Sequence, residues 1–219
     1  MHNLLAAAMD KALTAQAPAA RGYVRRQRAL EPGRSPTEHI ALAERRFVAA
    51  VTTLGAAAGA SAAAPGIGTV AGAATNIAEV GAFVEANVFY VLVVAEIHGV
   101  LPDDPARLRA LVLAALLGDA SELLTRGAGR IGRHWGREVA NGIPQEVIEA
   151  ANTILGRRFV SRWGTRQGML VLGRELPVLF GAAVGGVGNR VLARKVVSSV
   201  GSAFGPPPSR FNDLLGRPL

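Results

Sequence analysis

Charge vanishes from this chain between Phe47 and Ala78, and Ala, Gly, Ser and Thr fill most of the gap. By length such a run meets the roughly 20 apolar residues a membrane-spanning helix needs. Pro65-Gly66 interrupts it, however, and small residues gain little on transfer to lipid. The pattern predicts a helix ending near Ala64, a tight turn at Pro65-Gly66-Ile67-Gly68, and a second helix from about Val70 to His98. The pairs Gly55/Gly59 and Gly68/Gly72 have the small-xxx-small spacing that lets two backbones approach. The expected element is a helical hairpin buried in protein. Apolar side chains go nearly all the way round its second helix, as Val84, Val88, Phe89, Val91, Leu92 and Ile97 show. Such a helix is surrounded by other helices.

The flanking pattern predicts further helices. Residues 1–16 read as one helix ended before Pro18, followed from Ala17 to Pro36 by a flexible basic linker carrying Arg21, Arg25, Arg26, Arg28 and Arg34. Ser35-Pro36-Thr37-Glu38 reads as a helix start. Asp104 as N-cap with Pro105 at the first helical position starts a helix through Leu117, which Gly118 ends. Pro144-Gln145-Glu146 opens another short helix, and a last one begins after Pro177, uncharged until Arg190. Gly205-Pro206-Pro207-Pro208 stops it and leaves a loose tail. No strand-like alternation of useful length and no internal repeat is present. The fold class is all-α: a single compact helical bundle around a central Gly/Ala-rich hairpin. Its parts are an N-terminal helix and linker over 1–36, a helical domain over 37–205 and a disordered tail over 206–219.

Composition sharpens this picture. Half of the 219 residues are apolar, and aromatics make up only 5%, so the core must pack backbones closely instead of filling space with rings. The formal charge is +8, carried almost wholly by Arg, since only Lys11 and Lys195 are lysines. An anionic partner is the sharper reading of that balance; a generally basic surface is the plainer one. There is no cysteine, which excludes disulfides, thiolate metal sites and cysteine nucleophiles. The stretch Leu4–Met9 is too short, and too poor in preceding positive charge, for a secretory signal, so a cytoplasmic location is expected.

Candidate chemistry falls into two groups. On the hairpin's second helix, Asn76, Glu79, Asn87 and Tyr90 share one stripe, and Glu85 and Glu96 share another face. A carboxylate on an apolar helix must be paired, protonated or exposed. The plain reading pairs these acids with Arg190 or Arg194, or leaves them at a helix rim. The functional reading is a polar cavity around Glu79 that holds a headgroup or a peptide end. The second group is basic: Arg126, Arg130, Arg133 and Arg137 with Trp135, then Arg157, Arg158, Arg162 and Arg166 with Trp163, each at helical spacing. A solvated helix face explains such a pattern, and so does an anionic bilayer interface. Nucleic acid is disfavoured, because no recognised binding fold or stacking platform accompanies the charge. Gly66-Ile67-Gly68-Thr69-Val70-Ala71-Gly72 has neither the spacing nor the preceding strand of a dinucleotide loop, so no cofactor is expected. His2, His39, His98 and His134 are scattered, and no metal site is expected.

The run Leu54–Ile77, the Glu79–Ile97 helix, the turn His98-Gly99-Val100-Leu101-Pro102-Asp103-Asp104-Pro105 and the Leu/Ala helix after it resemble the EcsC family. So does the segment from Leu176-Pro177 through Gly181, Gly185 and Asn189 to Arg190. The resemblance covers roughly residues 45–204 and rests on motifs of low complexity. This bacterial family is named after a protein encoded beside an ABC-transporter pair. The resemblance implies an association with membranes or secretion, with no known reaction and no catalytic set to transfer. It adds Asn189 and Arg190 to the tentative polar pocket. The chain departs from the family in carrying Glu79 where a shorter acid is usual, and in its Arg-rich middle.

The expected function is therefore a non-enzymatic helical protein at the inner face of the cell membrane. It would bind anionic phospholipid, a membrane or transport-related protein partner, or both. An integral protein inserting its Gly/Ala hairpin is one alternative, and an enzyme or small-ligand binder with a pocket around Glu79 is another.

Overall fold

A computed structural model describes residues 2–62, 69–118, 134–172 and 178–211, with side chains over 9–58, 81–118, 134–161 and 186–211. Every regular element among them is a helix: α1 (His2–Leu30), α2 (Pro36–Ala62), α3 (Thr69–Ile97), α4 (Pro105–Leu117), α5 (Gly136–Asn141), α6 (Gln145–Leu172) and α7 (Val178–Phe204). The two long helices expected of the hairpin are α2 and α3. The turn residues Pro65–Gly68 lie outside the described residues.

The first correction concerns α1, which runs unbroken through Pro18 where a linker was expected. Met9, Leu13, Ala17, Ala20 and Val24 are buried at spacings of three and four, a helical stripe seated on α3. Alanine supplies two of those five positions, which hides the period in the sequence. Pro18 lies on the exposed side. A proline inside a helix costs about 3 kcal/mol, and the packed stripe offsets it.

At the start of α2 the main-chain N–H and the hydroxyl of Ser35 both donate to Glu38 Oε2 at 2.7 Å, and the Glu38 N–H donates back to Ser35 Oγ at 3.3 Å. This reciprocal capping box fixes where the helix begins. Asp104 caps α4 as expected, its Oδ1 accepting from the Arg107 N–H at 2.8 Å. Gly118 closes α4 at φ 77°, a left-handed conformation that favours glycine.

The legs of the hairpin share less surface with each other than with outside helices: α2 packs chiefly on α7, and α3 on α1. The centre of the bundle is the second half of α3 together with α4, where Val91–His98 and Leu111–Leu117 are buried without a break. Arg107 of α4 reaches the carbonyls of Val139 and Ile143 at 3.2 and 2.8 Å and so ties α5 down.

Two more expectations are corrected. The helix opened by Pro144 is long, because Ile148, Ala151, Leu155 and Phe159 maintain a buried stripe along α6. The chain after α7 is also seated over its described part. Gly205 turns at φ 75°, and Phe211 packs its ring against His39, with centroids 5.3 Å apart, and beneath Arg28. Residues 212–219 lie outside the described residues.

Candidate functional site

The polar stripe of α3 contributes structure where it is described. Asn87 is buried and donates from Nδ2 to the Phe83 carbonyl of its own helix at 2.6 Å, while its Oδ1 has no hydrogen-bond partner. Tyr90 stacks on Phe47 of α2 with centroids 4.5 Å apart and planes 9° apart. Burial first, and then Glu44, pushes the Tyr90 phenol well above its usual range. Asn189 of α7 is also buried, and its Nδ2 donates to the Val51 carbonyl of α2 at 3.2 Å. Asn87, Tyr90 and Asn189 thus close on backbone and on rings, and Arg190 points to solvent. The side chains of Asn76 and Glu79 lie outside the described residues.

Glu96 is paired, but with an unexpected partner. Its Oε2 stands 4.0 Å from Nε of Arg21 on α1, and neither Arg190 nor Arg194 is involved. Desolvation raises its carboxyl above the usual range, and Arg21 opposes that shift. Glu85 is half-buried.

The expected Arg/Trp faces divide. Trp135 is 5% exposed and belongs to the core, so it is no interfacial anchor. It sits one residue before Gly136, against which the Phe204 ring packs closely. Arg137, Arg157 and Arg158 are exposed, the last two close to the exposed Ile154 on α6. Arg126, Arg130, Arg133 and the side chains of Arg162, Trp163 and Arg166 lie outside the described residues.

Two features escaped the sequence reading. One is the outward face of α7, where Val187 and Val191 are 64% and 51% exposed among Arg190, Arg194 and Lys195, all exposed. The whole helix contains no acidic residue. Among the described residues no ion pair engages these three cations. The i, i+4 recurrence of Val187/Val191 and Arg190/Arg194 was available as a signal in the sequence.

The other is a cavity of about 290 Å³ at the α1–α2 turn, lined by Arg25, Arg28, Glu31, Arg34, His39 and Phe211 among others. Arg28 lies with Cζ 4.4 Å from the centre of the Phe211 ring. Arg34 pairs with Glu31. His39 is 5% exposed, and its Nε2 is buried without a hydrogen-bond partner. Leaving such a group unsatisfied costs about 1–3 kcal/mol. Burial, and next Arg34, holds the His39 imidazole below its usual value, so the ring is neutral near neutral pH. The sequence signal was the meeting of a Pro32-Gly33 turn with arginines at three-residue spacing on one helix end. The linker reading removed that helix end.

Among the described residues no group of three or more His, Asp or Glu is placed to hold a metal ion. Nor is any helix among them long and apolar enough to cross a membrane. Comparisons with protein-family models, curated proteins and solved structures returned no match.

Proposed function

We propose that this protein is a non-enzymatic, membrane-peripheral helical bundle that lays the outward face of α7 on an anionic bilayer. The observation that carries the reading is the pair of exposed valines, Val187 and Val191, set among Arg190, Arg194 and Lys195 on a helix without a carboxylate. Apolar residues at the centre of a cationic face suit the headgroup boundary, where the apolar part enters and the cations meet phosphate. Each cation near an anionic surface adds about 1 kcal/mol, so the three together match in scale what the two valines gain on burial. Ile154 beside Arg157 and Arg158 on α6 repeats the motif on a smaller scale. A cytoplasmic leaflet supplies the anionic lipid. The EcsC-like order of elements supports a membrane or transport-related protein as a second partner.

Flotation with phosphatidylglycerol and phosphatidylcholine vesicles at low and high salt tests the proposal. Binding is expected only to the anionic vesicles, reversed by salt, and weakened at least about tenfold in the double variant Arg190→Glu/Arg194→Glu. Absence of flotation, or flotation that the double variant leaves unchanged, overturns it.

A further inference from the structure

We propose that the cavity at the α1–α2 turn is a binding site for a phosphate monoester, separate from the α7 face and independent of the membrane reading. Three guanidinium groups, Arg25, Arg28 and Arg34, come from the end of α1 and the turn after it and line a single cavity. Its one carboxylate, Glu31, is already engaged by Arg34, so the lining keeps a positive excess. Guanidinium forks match phosphate oxygens in pairs, and several of them around one cavity suit a dianion better than a single carboxylate.

His39 is the second, independent sign. It lines the cavity, is more than nine-tenths buried, and carries an Nε2 that finds no partner within the protein. A buried polar atom left unpaired beside a cationic cavity is accounted for by a ligand that supplies the missing bond. Phe211 is the cover. Its ring meets His39 edge-on, at 68°, and Arg28 lies over its face, so Phe211 sits against both groups. When Phe211 swings aside, a phosphate oxygen reaches Nε2 while Arg25, Arg28 and Arg34 close on the other oxygens. The volume stands at the lower end of the roughly 300–1,000 Å³ range of small-molecule sites, room for the phosphate and a short organic part.

The phosphate can come from a soluble ester or from a lipid headgroup, and the test separates the two. Full-length protein is titrated calorimetrically with glycerol 3-phosphate, and its flotation is measured on phosphatidylcholine vesicles doped with phosphatidic acid. Variants are Arg28→Gln, Arg34→Gln and Phe211→Ala, with the exposed Arg45→Gln as a charge-matched control on α2. Saturable binding of glycerol 3-phosphate supports the site and assigns a soluble source. It must be weakened about tenfold by Arg28→Gln and by Arg34→Gln, and left unchanged by Arg45→Gln. Binding only to phosphatidic acid vesicles, weakened by the same two variants but retained in Arg190→Glu/Arg194→Glu, supports the site and assigns a lipid source. Phe211→Ala is expected to strengthen either form of binding. The proposal is overturned if neither probe binds, or if variants with an unchanged melting temperature bind like the parent. Failure at this cavity leaves the α7 result standing, and the reverse also holds.

Discussion

Arg21 of α1 stands 4.0 Å from the buried carboxylate of Glu96 and 2.6 Å from the exposed carboxylate of Asp103, so one side chain fastens both the end of α3 and the turn beyond it. The same guanidinium approaches the Pro102 carbonyl at 3.4 Å. This contact adds to the buried apolar stripe that docks the stretch after Pro18 as a helix. It also decides which carboxylate of α3 is satisfied, and by what.

Removing Arg21 leaves Glu96 as a buried carboxylate without its cation. Arg21→Ala is expected to cost about 2 kcal/mol; the pair is loose and Arg21 partly solvated, so the loss is below that of a tight buried pair. In a Glu96→Gln background the same substitution should cost clearly less, because the charge needing a partner is gone. Urea denaturation of the four proteins of this cycle measures the difference. Equal costs in both backgrounds would show that Arg21 acts through Asp103 and packing alone.

His98 provides an acid-sensitive element. It is buried 5.4 Å from the Phe204 ring, and burial, then Arg137 and His134, lower its pKa from 6.5 to about 4. A base whose folded pKa is depressed takes a proton more readily in the unfolded chain. The stability it contributes is whole above pH 6.5, falls as the pH drops below that value, and is lost by about pH 4. The drop across this window is about 3 kcal/mol. Glu96 acts in the opposite sense. Its folded pKa is raised, so protonation favours the fold as the pH falls towards its unfolded value of 4.5. Thermal melts across this range should show a shallower acid loss in His98→Gln and a steeper one in Glu96→Gln than in the parent. Parallel curves for all three would contradict the assignment.

Two glycines make a contrasting pair. A Cβ at Gly136 would lie 2.7 Å from the Phe204 ring, whereas one at Gly186 meets the Ala56 Cβ at an ordinary 3.5 Å. Gly136→Ala is expected to destabilise by about 1–3 kcal/mol through overpacking. Gly186→Ala should be neutral or stabilising by up to about 1 kcal/mol, since alanine is the better helix former. Melting temperatures of the two variants decide this. A large loss at Gly186 would mean that α2 and α7 lie closer than the structure shows.

The α4 boundaries were legible in the sequence because they rest on local chemistry. Asp104, Pro105 and Gly118 act within one turn of themselves, as do Ser35 and Glu38 at the start of α2. The candidate site was less legible. Asn189 looked like a pocket residue and proves to hold α7 to the Val51 carbonyl, a bond between residues far apart in the chain. Trp135 looked like an interfacial anchor and is buried, because which side of its turn faces the core is decided by how the helices dock.

By itself, then, the sequence determined the helical class, the caps and the close-packed apolar character of this protein, since propensity, capping and the 3.6-residue period are local properties of the chain. Tertiary structure alone decided which cation meets Glu96, which apolar residues of α7 remain outside, and that three arginines, His39 and Phe211 share one cavity. Those outcomes depend on pairings between segments as far apart in the chain as Arg25 and Phe211, and burial assigns such partners only once the helices have docked.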